Sequence, residues 1–295
     1  MKLYAVFGNP ISHSLSPFLH NFTFQQLGID ARYTRILLQN GADLKRAMLE
    51  YNLSGANITL PFKESAFLAC DEVQGIAQKI GAVNTIICEG GKLVGYNTDA
   101  EGFYESLLDS AKFKLKSALI IGAGGSARAI AFALQAQNIQ TKIINRSSQN
   151  LAFFAESSFD CALISDFCAN FKAQNFDCVI NATSSSIKGE LPLDSAILGE
   201  IFGCAKIAVD LMYGKKCPFL ELAKIRRICA LDGSKMLLYQ AIKASYLFLN
   251  ANSPRAKNRI KSAMLSAHKI LQGISAPNLT TSKRLTRLRC QQTTL

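Results

Sequence analysis

Two groups of residues in this 295-residue chain are spaced for chemistry. The first is Ala118-Leu-Ile-Ile-Gly122-Ala123-Gly124-Gly125-Ser126-Ala127, a Gly-x-Gly-x-x-Ala pattern that leaves an apolar run and enters a helical one. Gly122 permits a tight turn, Gly124 lets the backbone approach a pyrophosphate, and Ala127 is small enough for close helix–strand packing. Phosphates would lie over a helix N-terminus, where unpaired N–H groups and the dipole favour negative charge. Chains that bind NAD place an acid about 20 residues further on, to hold the ribose hydroxyls. Here the next strand ends in Asn145-Arg146-Ser147-Ser148. An acid would repel a 2′-phosphate, whereas a guanidinium grips it with a charge-assisted fork. Taken singly, Arg146 is a solvated surface residue; in this register it points to NADP.

The second group is polar and lies upstream. In Ser14-Leu-Ser16-Pro17 an extended backbone would aim both hydroxyls at one anion. Ser16 also suits an N-cap, with Pro17 at the first helical position. In Asn57-Ile-Thr59-Leu-Pro61-Phe-Lys63 a β-run is stopped by proline. Thr59 and Lys63 are thereby left at a strand's C-terminal end, where open α/β sheets build their sites. A lone lysine is ordinarily a solvated surface residue. Gly81-Ala-Val-Asn84-Thr85 and Gly95-Tyr-Asn97-Thr-Asp99-Ala100 add an amide and a carboxylate, although Asp99 is equally placed to cap a helix.

The elements that must position these groups alternate short β-like runs with helical stretches, which argues for βαβ units and parallel sheets. Strands are expected at Lys2–Phe7, Tyr33–Leu37, Asn57–Leu60, Val83–Cys88 and Lys92–Tyr96, the last two joined through Glu89-Gly90-Gly91. Helices are expected at Pro17–Leu27, Ala42–Tyr51, Lys63–Ala69 and Ala100–Leu108. A Lys-rich link, Lys112-Phe-Lys-Leu-Lys116, leads to a second series. It comprises strand Ala118–Ile121, helix Gly125–Gln137, and strands Lys142–Asn145, Cys178–Asn181 and Ile207–Asp210. A long amphipathic helix, Lys235–Leu249, and a further one to about Leu271 follow. Beyond Gly273 the chain is polar and acid-free, and disorder is expected.

Composition limits the alternatives. The net charge of +12 belongs to one end: no Asp or Glu follows Asp232, while eleven Lys and Arg do, leaving 22 basic against 21 acidic residues in positions 1–232. Such an end is more often a solvated face or loose tail than a nucleic-acid arm. The first seven residues hold only five apolar ones in a row before Gly8-Asn9-Pro10, and no segment reaches membrane-span length. Nine scattered cysteines without a Cys-x-x-Cys pair, and three dispersed histidines, suit free thiols in a reducing compartment and no metal site. A cytoplasmic enzyme is the expectation.

In order along the chain stand Asn9-Pro-Ile-x-His-Ser-x-Ser-Pro17, Asn57-Ile-Thr-x-Pro-Phe-Lys63, Gly81-Ala-Val-Asn-Thr85, Gly95-x-Asn-Thr-Asp99 and Gly122-Ala-Gly-Gly125. Asn145-Arg-Ser147, Asn181-Ala-Thr-Ser184, Asp210-Leu-Met-Tyr-Gly214, Pro218-Phe-Leu, Asp232-Gly233 and Met236-Leu…Gln240-Ala follow. This ordered set, over about residues 3 to 265, resembles the shikimate dehydrogenase family. The resemblance implies an α/β fold of two domains, an N-terminal α/β substrate domain and a Rossmann-type NADP-binding domain, with the active site in the cleft between. Its division would be 1–103 for substrate binding and catalysis, 104–234 for NADP, 235–271 for helices returning to the first domain, and 272–295 for a basic tail. It implies NADPH-dependent, reversible reduction of 3-dehydroshikimate to shikimate, in the pathway to chorismate and the aromatic amino acids. Ser14, Ser16 and Tyr213 would bind the substrate carboxylate, and Thr59, Asn84, Asp99 and Gln240 the ring hydroxyls. Lys63 would be the acid/base, paired with Asp99: burial disfavours an ammonium and a neighbouring carboxylate favours it. Gly122, Ala123, Gly124, Gly125, Ser126, Ala127, Asn145, Arg146 and Ser147 would hold the cofactor, with Thr183, Leu211 and Gly233.

The chain departs from the family pattern at Asn150, where a second basic residue is common, at Ser186, where glycine is common, and at Ser234-Lys235. Two other readings stay open: a quinate/shikimate dehydrogenase that uses NAD, and a non-catalytic NADP-binding protein whose basic tail contacts nucleic acid. The oligomeric state is not fixed by the sequence, and a homodimer is open.

Overall fold

The computed structural model describes residues 1–110, 114–170, 175–214 and 216–274. Part of the Lys-rich link, and the tail from residue 275, lie outside the described residues. The chain builds two six-stranded sheets in succession. The first contains β1 (Lys2–Gly8), β2 (Ala31–Leu37), β3 (Gly55–Ile58), β4 (Glu72–Val73), β5 (Thr85–Glu89) and β6 (Lys92–Tyr96), in the order β2-β1-β3-β5-β6-β4. The second contains β7 (Ser117–Ile121), β8 (Gln140–Asn145), β9 (Asp160–Leu163), β10 (Cys178–Asn181), β11 (Ile207–Asp210) and β12 (Cys229–Leu231), in the order β12-β11-β10-β7-β8-β9.

Every pairing in the second sheet is parallel. Both its faces are covered, so its strands read as continuous apolar runs. Ala118 and Ile120 of β7 face one core with Ile130 and Leu134 of α6 (Gly125–Gln135) and Phe154 of α7 (Gln149–Glu156). Leu119 and Ile121 face the other, with Phe167 of α8 (Ile164–Ala169), Phe202 of α9 (Ser195–Cys204) and Phe219 of α10 (Pro218–Ile225). The chain leaves β7 towards β8 and later returns to β7's other side with β10. That reversal is a topological switch point, and it opens a crevice at the strands' C-terminal ends.

The first sheet corrects the expectation of parallel sheets at the β3–β5 pair, while β5 and β6 form the hairpin expected through Glu89-Gly90-Gly91. β1, β2 and β3 are parallel, but β5 runs antiparallel to β3 and β6 antiparallel to β5. The short Gly90-Gly91 connection leaves room only for a hairpin. β3 also ends at Ile58 rather than Leu60, and β5 begins at Thr85 rather than Val83. Ala5 and Phe7 face a core shared with Met48 of α2 (Leu44–Glu50), Ala66 of α3 (Lys63–Ala69) and Ala77 of α4 (Ile76–Ile80). Tyr4 and Val6 face Phe24 of α1 (Ser16–Leu27) and Ala244 and Phe248 of α11 (Ser234–Phe248).

Two helices tie the sheets together. α5 (Asp99–Leu108) starts at the first sheet and buries Phe103 and Leu107 in the core of the second. It packs on α11 so closely that a Cβ on Gly102 would come within 2.6 Å of the Gln240 backbone nitrogen. α12 (Pro254–Ile274) then covers α1 and α11 through Met264 and Ala267. No described helix is long and apolar enough to cross a membrane.

Candidate active site

The C-terminal ends of β1 and β3 face the start of α11 and the β7–α6 turn across a cavity of about 150 Å³. The polar residues singled out from both halves of the sequence meet there. Thr59, Lys63, Asn84 and Asp99 line it from the first sheet, Ser14 and Ser16 from the β1–α1 connection, and Tyr213 and Gln240 from further along the chain. Ser126, Leu211 and Gly233 line it from the cofactor side.

At its centre Lys63 Nζ donates to Asp99 Oδ2 at 2.6 Å and to Ser126 Oγ at 2.8 Å. Both members of the ion pair are largely sequestered, with side-chain exposures of 13% and 7%. Asn84 fixes the carboxylate: its Nδ2 donates to Asp99 Oδ1 at 2.8 Å while its Oδ1 accepts the Thr98 backbone N–H at 2.7 Å. Asp99 does not cap α5. Thr98 occupies that position, and Asn97 Oδ1 accepts the Asp99 and Ala100 N–H groups at 3.1 and 3.4 Å. With the helix start satisfied by Asn97, the Asp99 carboxylate is left for the lysine.

The two serines reach the cavity by a different backbone from the extended one expected. Leu15 is helical in conformation (φ −91°, ψ −4°) and caps α1, so Ser16 is the first helical residue rather than the cap. Ser14 Oγ accepts the Ser16 N–H at 3.3 Å, a local bond that competes with extended backbone. Ser14 and Ser16 are both buried. Arg35, unremarked in the sequence, holds this turn through Nε and Nη2, which donate to the Ser14 carbonyl at 2.9 and 2.5 Å. Burial pushes the Tyr213 phenol up, against smaller opposing pulls from the Leu15 backbone and Arg35.

Asn57 also lines the cavity. The Tyr33 hydroxyl donates to its Oδ1 at 2.6 Å, and its Nδ2 donates to Thr85 Oγ1 at 3.0 Å. The signal for it was present, since Asn57 lies two residues before Thr59 in the run expected as one strand, which would put both on one face.

On the cofactor side the ends of four neighbouring strands form a row. Gly122 takes φ +111°, and its N–H donates to the Ile144 carbonyl at 2.8 Å, which sets the glycine loop beside the end of β8. A Cβ on Gly122 would come within 3.0 Å of the Ala182 backbone, so neither the conformation nor the space admits a larger residue. Gly124 caps α6, and a Cβ there would meet nothing within 4 Å. Open space therefore lies over the helix N-terminus, as a pyrophosphate requires. Ala127 is fully buried against the sheet, and Ala123 is buried beside it. Past the end of β8, Arg146 and Ser147 are exposed, and Arg146 forms no ion pair among the described residues. Asn145 turns inward on its own loop, donating to the Ser147 carbonyl at 3.1 Å. An exposed guanidinium beside a helix N-terminus with open space over it fits a dinucleotide with a 2′-phosphate.

The end of β10 completes the row. Thr183 Oγ1 donates to Asn181 Oδ1 at 2.7 Å, and Asn181 Nδ2 donates to the buried Asp210 Oδ2 at 2.7 Å. Ser186 Oγ donates to the same oxygen at 2.6 Å, Cys217 Sγ faces it at 3.2 Å, and the Met212 N–H donates to Oδ1 at 2.8 Å. The serine at 186 thus has an account: it is one of the donors that satisfy a fully buried carboxylate.

Residues 6–86 match the profile of the shikimate dehydrogenase substrate binding domain. Over 250 residues the chain is 52% identical to a shikimate dehydrogenase (NADP(+)) of Helicobacter hepaticus, covering 84% of this chain and 91% of that one. With the enzyme of the same name from Dechloromonas aromatica it shares 38% over 256 residues, 83% and 92% of the two chains. The structure of the Thermus thermophilus shikimate 5-dehydrogenase in complex with NADP(H) and shikimate superposes with a TM-score of 0.75 at 33% identity, covering 90% of this chain and all of that one. With the glycine loop, the Lys63–Asp99 pair and the buried serines on one cavity, and with these relatives matched along most of their length, the chain belongs to the shikimate dehydrogenase family.

Proposed function

We propose that the protein is an oxidoreductase of the shikimate pathway that reduces 3-dehydroshikimate to shikimate reversibly, with NADPH as cofactor. The observation that carries this reading is Lys63 Nζ, held at 2.6 Å from Asp99 and 2.8 Å from Ser126, where the polar cavity meets the glycine loop. Bound NADPH supplies the hydride. Its arrival at the ring carbonyl puts negative charge on the oxygen, and the Lys63 ammonium donates the proton that neutralises it. In the reverse direction neutral Lys63 takes that proton back.

In this reading Ser14, Ser16 and Tyr213 hold the substrate carboxylate at the start of α1. Thr59, Asn84, Asp99 and Gln240 hold the ring hydroxyls. Arg146 reads the 2′-phosphate, and Gly122–Ala127, Asn145, Ser147, Thr183, Leu211 and Gly233 frame the rest of the cofactor. The division into residues 1–103, 104–234, 235–271 and 272–295 belongs to the same reading, although position 103/104 falls inside the continuous helix α5.

Initial rates with shikimate and quinate, each with NADP⁺ and NAD⁺, test it. Shikimate with NADP⁺ is expected to be the fastest pair by a wide margin. Comparable turnover of quinate with NAD⁺ would favour the broader paralogue, and no turnover with any pair would leave only a binding protein.

A further inference from the structure

Ser126 belongs by sequence to the cofactor loop, yet the group its hydroxyl faces is Lys63, on the other side of the cleft, at 2.8 Å. The dinucleotide fingerprint asks for no such contact, since its glycines act through backbone geometry alone. Two further contacts accompany it. A Cβ on Gly125 would lie 3.4 Å from Lys63 Cβ and from Ala82 Cβ, so the lysine stem rests directly on the loop backbone. Glu64, the next residue along α3, pairs with Arg128 of α6 at 3.2 Å, while the Arg128 guanidinium sits 4.1 Å over the Phe153 ring. The first turn of α3 is thus clasped to the first turn of α6.

An ammonium has three N–H donors. On Lys63 one is given to Asp99 and one to Ser126, and tetrahedral geometry then sets the direction of the third, which is left for a substrate oxygen. With Asp99 alone, Nζ would keep a rotation about that single bond on a flexible four-carbon stem. Ser126 Oγ accepts from the lysine, and its own proton has no protein acceptor among the described residues, so it is free to donate to an anion over the α6 N-terminus. A hydroxyl that accepts from a cation and donates to an anion is polarised in both directions at once.

We propose that Ser126 is a positioning residue for proton transfer, which couples the alignment of Lys63 to a phosphate seated on the glycine loop. This rests on the reading of Lys63 as proton donor and of Gly122–Ala127 as the cofactor loop. A phosphate that accepts from Ser126 Oγ would hold that hydroxyl, and through it the third N–H of Lys63, towards substrate held by the serines and Tyr213.

The test is Ser126→Ala in the full-length chain, with kcat, both KM values and shikimate affinity measured with and without NADP⁺. The expected result is a fall in kcat of about five- to tenfold, the scale of one ordinary hydrogen bond, because the Asp99 anchor is retained. The KM for 3-dehydroshikimate should change less than about twofold, and the enhancement of shikimate binding by NADP⁺ should shrink. Because the hydroxyl acts through the lysine, adding Ser126→Ala to Lys63→Ala should cost no further kcat. The same loss in both backgrounds, or a raised NADPH KM with kcat intact, would make Ser126 a cofactor contact only and overturn the proposal while sparing the roles of Lys63 and the loop. Full kcat in Lys63→Ala alone would instead remove the assignment of the proton donor itself.

Discussion

Removing the Lys63 ammonium should separate activity from stability, because its two partners respond differently to the loss. In Lys63→Ala the Asp99 carboxylate, with 7% of its side chain exposed, loses its counter-charge but keeps Asn84 Nδ2 at 2.8 Å. It also keeps its place in the first turn of α5, where the helix dipole favours an anion. Breaking a buried ion pair from one side costs about 3–5 kcal/mol. The surviving donor and the helix terminus reduce the expectation here to about 2–3 kcal/mol, or roughly 5–10 °C in Tm. In Lys63→Ala/Asp99→Asn the orphaned charge is gone, and about 1–2 kcal/mol should return. Activity should not follow. The single variant is expected to lose about 10²- to 10⁴-fold in kcat with a modest change in KM, and the double variant should be no better, since both residues serve one step. Thermal melts beside initial rates of NADPH consumption measure both quantities on the same samples. If Lys63→Ala kept kcat within about tenfold and lost only affinity, the lysine would be a binding residue. If the double variant melted below the single one, the account of the buried charge would be wrong.

Three other substitutions probe separate parts of the argument. Arg146→Ala should raise the NADPH KM about tenfold or more and leave NADH use nearly unchanged, because one charge-assisted phosphate contact is lost; equal losses with both cofactors would show that the arginine does not read the 2′-phosphate. His20 stacks on Tyr33 at 4.3 Å, and burial lowers its imidazole to about 3, so the unfolded chain binds a proton below pH 6.5 that the folded one refuses. Stability should therefore fall as the pH drops through that window, by about 2 kcal/mol at pH 5, and His20→Phe should show a flatter stability profile between pH 8 and 5. Ser186→Gly removes one of the donors to buried Asp210 and should cost about 1.5–3 kcal/mol in urea unfolding; no change would mean that the carboxylate is satisfied without the serine.

The cofactor half was the more legible in the sequence. β10 and β11 were bounded correctly because Cys178–Asn181 and Ile207–Asp210 are buried on both faces and each stops at a polar residue, Asn181 and Asp210, that bonds to the other. The elements that went unseen owe their place to distant partners. β4 is two residues long, and beside it Asp71 Oδ2 accepts the Leu93 N–H at 2.9 Å, a contact across 22 residues that no local pattern contains. β12 is a three-residue edge strand with only its neighbour β11 to define it. At the site, residue types and motif order picked out side chains that meet on one cavity, while their local geometry escaped. Nothing in Asn97-Thr-Asp99 says which of the three satisfies the helix start, and the answer, Asn97, is what leaves Asp99 for the lysine. Ser126 was legible only as part of a glycine loop, because its facing Lys63 depends on how two sheets pack.

That packing has a division of labour. Along one side of the cleft the joint is apolar and tight: Phe103 and Leu107 of α5 enter the core of the second sheet, and Gly102 admits α11 at backbone contact. Across the mouth the polar contacts are chiefly Lys63–Ser126 and Glu64–Arg128, the latter with a half-exposed carboxylate, and they flank a small apolar patch in which Ile80 and Ala82 meet Ala129 and Ala133 of α6. Breaking a half-exposed ion pair costs about 1 kcal/mol or less, whereas withdrawing Phe103 from its core would cost several times that. A relative movement of the two sheets that spared the α5–α11 joint would have to part these mouth contacts, the Ile80–Ala129 patch included. Asp99, as the first residue of α5, stays with the joint, and Ser126 stays with the glycine loop. Lys63 spans the two, so opening the mouth enough to exchange the cofactor would also pull the proton donor out of register.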